Sequence, residues 1–235
     1  MERHEVQGDT FVAREAIQLS KKQLADLNSL PTSSTARAEW LWAHGAVDPV
    51  DSYIKLVLRG NRKHKVRIIA MRANTACEPP LKGTIFFSPP GGEDLLTPMF
   101  FNLDEQEPKA RIETEDGSRE DYFSHKSISL KRGEDIVIQA WAQTLKHYCK
   151  FTLQLEVLTD NGIVRQVIDN NGKPFEVSAL ITRKESDGSL VTGVTKYQKL
   201  YVAGIASIGG DGSRWRYMPD HEEWLRKFGA GGSVE

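Results

Sequence analysis

The stretch HYCKFTLQLEVLTDNGIVRQ, residues 147–166, carries the clearest structural pattern in the chain. Within it every second side chain is apolar, in the order Cys149, Phe151, Leu153, Leu155 and Val157. Strict alternation of this kind predicts a β-strand with one face in a core and the other in solvent. The sequence DNG then supplies a turn, and the following IVRQVI predicts a second strand that pairs with the first.

The same period of two recurs through the middle of the chain. It appears in YIKLVLR (53–59), KVRIIAMR (65–72) and PFEVSALI (174–181), and GTIFFS (83–88) and IVIQAWAQT (136–144) are predicted as further short strands. Turn residues separate these segments and no long helical pattern intervenes, which is typical of an all-β fold. We therefore predict an antiparallel β-sandwich over residues 50–205. The Gly60–Asn61 pair further predicts a β-hairpin over residues 53–72.

Short α-helices are predicted to flank the sandwich at both termini. Ser20 with Gln23 three residues later is typical of a capping box, and leucines follow at helical spacing. Residues 1–49 are predicted to form an N-terminal helical arm, and residues 206–235 a loop and a short C-terminal helix docked on the sandwich. The helices themselves are expected at residues 20–30, 35–44 and 220–228. The side chains expected to dock them are Leu24, Leu27, Trp40, Trp42 and Trp224.

The composition is that of an ordinary globular protein. The chain has 235 residues, a formal net charge of -1 and 39% hydrophobic residues. A dedicated nucleic-acid binder would usually be strongly basic, so no nucleic acid is expected as a partner. No apolar run approaches the roughly 20 residues that a membrane-spanning helix needs, and the first residues lack a signal-peptide core. A cytosolic protein and a mature ectodomain both fit these observations.

Charge is unevenly distributed along the chain. Residues 51–72 are strongly basic, and residues 104–121 are rich in acids. Such a bipolar surface could bind a protein or an anionic surface through the basic segment, although two solvated faces would give the same pattern. The candidate patch for an anionic partner consists of Lys55, Arg59, Arg62, Lys63, Lys65 and Arg67.

Catalytic and metal-binding motifs are missing from the sequence. His125 lies near Asp121 and His147 near Cys149, but no nucleophile elbow or comparable framework accompanies them. Two distant cysteines do not have zinc-site spacing, and DNNG at residues 169–172 lacks the rest of a calcium loop. We predict no catalytic residue, no cofactor and no metal. A hydrolase acting on carbohydrate with a carboxylate pair in residues 104–121, and a cytosolic or phage-type assembly subunit, stay as alternatives.

Several segments resemble a known set of proteins. The stretches GTIFFSPPGG, FFNLD, YFSHKSISLKRGE, HYCKF and KPFEVSAL are similar to segments of uncharacterised actinobacterial membrane-anchored proteins. Those proteins typically place one transmembrane helix before a C-terminal β-rich extracytoplasmic domain, and the resemblance covers residues 50–205. It implies a non-enzymatic extracytoplasmic binding or interaction module, membrane-tethered in its full-length form. It supplies no functional residues.

The two cysteines offer a choice between free thiols and a disulfide. Buried free cysteines are common in cytosolic proteins. A bond between Cys77 and Cys149 would restrict the unfolded chain by about 4 kcal/mol in the loop-entropy model. Since the resemblance implies an oxidising compartment, we predict the Cys77–Cys149 disulfide and an extracytoplasmic location, with the cytoplasm left open.

Overall fold

The computed structural model describes residues 2–3, 10–88, 99–184, 188–207, 212 and 214–229. Strands make up 47% of the chain and helices 18%, which confirms the prediction of a mostly β protein. The strands are β1 (Glu2–Arg3), β2 (Phe11–Ala13), β3 (Ala46–Pro49), β4 (Asp51–Arg59), β5 (Val66–Glu78), β6 (Thr84–Phe87), β7 (Met99–Asn102), β8 (Arg111–Glu113), β9 (Arg119–Asp121), β10 (Ile128–Leu130), β11 (Asp135–Gln143), β12 (Tyr148–Thr159), β13 (Gly162–Ile168), β14 (Phe175–Ser178), β15 (Thr182–Lys184), β16 (Leu190–Thr192), β17 (Lys199–Val202) and β18 (Arg216–Met218). The helices are α1 (Lys21–Ser29), α2 (Thr35–Ala43), α3 (Tyr122–His125) and α4 (His221–Gly229), with short 3-10 helices at Val194–Lys196 and Gly204–Ala206.

The chain divides into two compact units. Unit 1 contains Met1–His4, Val50–Glu78 and Asp94–Val177, and unit 2 contains Glu5–Pro49, Pro79–Glu93 and Ser178–Glu235. This division differs from the predicted segments 1–49, 50–205 and 206–235. Parts of the predicted sandwich belong to the same unit as the predicted helical arm.

Unit 1 is built around two sheets that contribute to one core. Sheet 1 has the strand order β1-β4-β11-β7-β8-β9, and the part of sheet 2 described with unit 1 has the order β10-β5-β12-β14, with β13 also paired to β12. The core takes side chains from both sheets, among them Ile54, Leu56, Phe101, Phe151, Leu153 and Phe175. The alternation predicted for residues 149–157 is confirmed at Cys149, Phe151, Leu153 and Leu155, which are buried, whereas Val157 is half-buried and Gln154, predicted to face outward, is buried.

The predicted hairpin over residues 53–72 is wrong. β4 pairs with β1 and β11, whereas β5 pairs with β10 and β12, so the connection between them crosses from sheet 1 to sheet 2. The backbone of Gly60 bonds to the turn that precedes β11: its N–H donates to the Glu134 carbonyl at 2.9 Å and its carbonyl accepts from Gly133 at 2.7 Å. A Cβ at Gly60 would lie 2.0 Å from the carbonyl oxygen of Lys131, so only glycine fits this approach.

The sheets are mixed, which corrects the prediction of a strictly antiparallel fold. β7 runs parallel to β11 in unit 1, and β17 runs parallel to β6 in unit 2. Hairpins and other short connections make neighbouring strands antiparallel, but long stretches of chain separate the strands of these two pairs. The alternation of apolar residues does not indicate whether two such strands run parallel or antiparallel.

Unit 2 combines the strands β3-β2-β6-β17-β18 and the hairpin β15-β16 with three helices. The predicted helices are confirmed as α1, α2 and α4, and Ser20 forms the predicted capping box with Gln23. Leu27 and Trp224 are buried, whereas Leu24, Trp40 and Trp42 are partly buried. Trp215, also buried, packs edge-on against Phe86. In the described part of the chain, no helix has both the length and the apolarity that crossing a membrane requires.

Candidate ligand-binding cleft

A disulfide fixes one end of sheet 2. Cys77 and Cys149 are bonded, with sulfurs 2.09 Å apart, and the prediction of this pair is confirmed. The two residues face each other directly on β5 and β12, with Cα atoms 4.2 Å apart. This separation is close to that of a non-hydrogen-bonded pair in an antiparallel ladder. Cys77 therefore lies within β5, one residue before its end.

At the other end of β12, few residues pack on the two-stranded ribbon that β12 forms with β13. The register of β12 on β5 shifts between Glu156 and Val157, which leaves Ile69 as an additional residue. Such a bulge bends a strand and increases its twist. Val164 of β13 pairs with Val157 and so shares its core-facing side, yet Val164 is 39% exposed. The inner face of sheet 2 is therefore open to solvent at this point.

An open cleft of about 500 Å³ occupies this end of unit 1. Sheet 2 provides its largely apolar floor and β4 provides its wall. The apolar lining consists of Val57, Leu58, Val66, Ile68, Leu130, Leu155, Val157 and Val164. The remaining lining residues are Arg59, Gly60, Asn61, Arg62, Thr159 and Gln166, so every charged group in the cleft is a guanidinium.

A basic depression of about 190 Å³ adjoins the cleft. The two cavities share Arg62, Val66 and Thr159. The depression is further lined by Lys63, His64, Lys65, Asp160 and Asn161. Its single acid is Asp160, and Nε2 of His64 lies 3.9 Å from the Asp160 carboxylate.

The predicted anionic-partner patch is divided by the change of sheet at residue 60. The connection and the end of β4 bring four of its members around the two cavities: Arg59, Arg62, Lys63 and Lys65. Lys55 is half-buried on the outward side of β4, and Arg67 is exposed on the outward side of β5, in the other sheet. None of the six is buried, but they do not share one face.

Most carboxylates of the acidic segment form structural contacts. The Asp104 side chain is 7% exposed and accepts hydrogen bonds from the Leu145 N–H, the Thr144 hydroxyl and His147 Nδ1, each within 2.9 Å. Burial alone would raise the pKa of Asp104, but these hydrogen bonds hold it below the usual value. Other acids are paired nearby: Glu105 with Arg111, Glu107 with Lys109, Glu113 with Arg119 and Glu120 with His125. The predicted carboxylate pair of a hydrolase gains no support from these contacts.

The outward side of sheet 1 carries an aromatic row that the sequence did not indicate. Tyr53 stacks on Trp141, Phe100 meets Trp141 edge-on, and the Arg119 guanidinium lies 3.7 Å from the Phe100 ring centroid. Trp141 Nε1 also donates to Asp51 at 2.6 Å. Burial nevertheless raises the pKa of Asp51. The members of the row cover one another, so these contacts are the cross-strand pairs that stabilise a sheet.

Neither metal ligation nor similarity to a known protein identifies the site. Within the described ranges, no group of three His, Cys, Asp or Glu side chains could hold a metal ion. No protein-family model, curated protein or solved structure matches the chain.

Proposed function

We propose that the protein is a non-enzymatic binding module and that the cleft of unit 1 is its ligand site. The cleft carries the proposal, because its volume of about 500 Å³ lies within the range of small-molecule sites. Its lining also has their usual character, a largely apolar surface with a few polar groups at fixed positions. On this proposal unit 1 is a β-sandwich whose ligand enters where sheet 2 extends beyond the cover of sheet 1.

The partner is anionic. Arg59 and Arg62 line the cleft, and Lys63 and Lys65 line the depression beside it. The Arg59–Asp135 pair is separated by 3.6 Å and is largely exposed, so little free energy would be lost if Arg59 turned to a ligand. Positive groups around a low-dielectric cavity concentrate anions at its mouth.

The protein acts outside the cytoplasm and is membrane-tethered in its full-length form. The Cys77–Cys149 bond supports this location, because structural disulfides persist in oxidising compartments and are rare in the cytosol. The tether is an expectation from the resemblance to actinobacterial membrane-anchored proteins. A protein in its native cells should then resist alkylation by a thiol reagent added before lysis.

The test of the cleft uses 8-anilinonaphthalene-1-sulfonate, an apolar anion whose fluorescence increases on burial. We expect saturable binding with one site per chain. Val164→Trp should weaken it strongly by obstructing the cleft. Val167→Trp is the matched control, because Val167 lies on the same strand, is 57% exposed and is not part of the lining.

Two outcomes would contradict the proposal. One is the lack of saturable binding by the unmodified protein. The other is an equal loss in the Val164→Trp and Val167→Trp variants, which would indicate a general surface effect. Urea unfolding of each variant establishes that the fold is retained.

A further inference from the structure

We infer that the ligand is a single-chain anionic amphiphile, whose alkyl chain lies in the cleft and whose head group lies in the basic depression. This inference rests on the proposed function, since it identifies the chemical class bound at the same site. The decisive observation is the adjacency of two cavities of different character. They share Arg62, Val66 and Thr159 as lining residues, so we place one molecule across both.

The cleft is suited to an alkyl chain. Eight of its fourteen lining residues are valine, leucine or isoleucine, whose side chains offer van der Waals contact and carry no hydrogen-bonding group. A peptide strand placed against them would lose water from its amide groups without gaining partners there, which is costly. An alkyl chain has no such groups, and each methylene that leaves water should tighten binding roughly threefold to fourfold.

The depression is suited to a carboxylate, sulfate or phosphate head group. Among the described residues, Arg62, Lys63 and Lys65 form no ion pair, and all three are exposed. Asp160, the one acid present, lies beside His64. A single anionic group therefore meets three positive side chains and little opposing charge. A guanidinium at the junction of the two cavities also places the head group where the chain enters.

The experiment is calorimetric titration of the whole chain with octanoate, decanoate and dodecanoate, below their micelle concentrations. We expect Kd to fall roughly threefold to fourfold per methylene until the chain fills the cleft. Decanol, with the same chain length and a neutral head, should bind at least tenfold more weakly than decanoate. The triple variant Arg62→Gln/Lys63→Gln/Lys65→Gln should remove that advantage, so that it binds decanoate and decanol with similar affinity.

The matched control is Arg67→Gln, because Arg67 is exposed and basic but lines neither cavity. It should leave decanoate binding unchanged. Equal affinities for decanol and decanoate, or an equal loss in the triple and Arg67 variants, would overturn the inference. Binding of anionic phospholipid vesicles without binding of monomeric decanoate would also overturn it, in favour of adsorption to a membrane surface. If anilinonaphthalene sulfonate still binds in these cases, the cleft remains a ligand site and only the inferred ligand class is wrong.

Discussion

Reduction of the Cys77–Cys149 bond should destabilise unit 1 strongly. The bonded residues are 72 positions apart, and closing a loop of that size lowers the entropy of the unfolded chain by about 15 cal/mol/K in the loop-entropy model. The corresponding loss of stability on reduction is about 4 kcal/mol at 25 °C. Reduction is preferable to substitution, because Cys149 is fully buried and a smaller side chain would add the cost of a cavity.

The assay is urea unfolding of the oxidised and reduced protein, followed by far-UV circular dichroism and by tryptophan fluorescence. Trp141 belongs to unit 1, whereas the other four tryptophans belong to unit 2: Trp40, Trp42, Trp215 and Trp224. If the units unfold independently, reduction should shift the circular dichroism transition of unit 1 and leave most of the fluorescence transition in place. Coincident midpoints for the oxidised and reduced protein would refute the reasoning. So would two free thiols in the denatured, unreduced chain.

Three further sets of substitutions test local contacts. Asp51→Asn should stabilise unit 1 at pH 7, because burial raises the pKa of Asp51 and makes its charged form unfavourable in the folded protein. The difference in stability between the variant and the unmodified protein should disappear as the pH falls below 3.8, the pKa of this group in the unfolded chain. Asp104→Asn should do the opposite and destabilise unit 1 at pH 7 by about 1–3 kcal/mol. Because the pKa of Asp104 is lowered in the folded protein, the stabilisation that its carboxylate provides is present above pH 3.8 and is lost at more acid pH. Urea midpoints measured between pH 2.5 and 7 therefore separate the two variants. Ser20→Ala should cost about 1 kcal/mol in thermal unfolding through loss of the capping box of α1, whereas an unchanged Tm would show that this cap is dispensable. Gly60→Ala should lower the free energy of unfolding several times more than Ser20→Ala, since the alanine Cβ would lie 2.0 Å from the Lys131 carbonyl oxygen. A soluble Gly60→Ala variant of unchanged stability would contradict this close approach.

The longer strands were predictable from the sequence, but their partners were not, and the short strands β2 and β3 lie within residues 1–49, which were predicted to form a helical arm. Alternation identifies which face of β12 is buried, because that property depends on each residue and its neighbours two positions away. The same alternation in β4 and β5, with a Gly-Asn pair between them, fits both a hairpin and a connection that changes sheets. What separates the two is the bonding of Gly60 to the turn at residues 133–134, about 70 positions further along the chain.

The candidate site shows the same division between local and distant information. Charge density identified Arg59, Arg62, Lys63 and Lys65 because they lie close together in sequence. The apolar lining was missed because it comes from β4, β5, β10, β12 and β13. One local signal was present: Val164 and Val167 of IVRQVI point to opposite sides of β13, and an edge strand with apolar residues on both sides indicates an uncovered surface.

Segments of the two units alternate along the chain, so the two units are completed in a fixed order during synthesis on the ribosome. Unit 1 has all its segments once Val177 has emerged, but the core of unit 2 joins Leu27 and Leu41 to Tyr201 and Trp215. At a synthesis rate of roughly 5–20 residues per second, α1 and α2 are made on the order of ten to thirty seconds before Tyr201 and Trp215. Their apolar sides lack these contacts during that time. A chain that stops soon after Val177 would hold a folded unit 1 beside an N-terminal segment with exposed leucines. Chaperones and proteases would therefore recognise truncated copies of this protein at the segment that carries α1 and α2, far from the break.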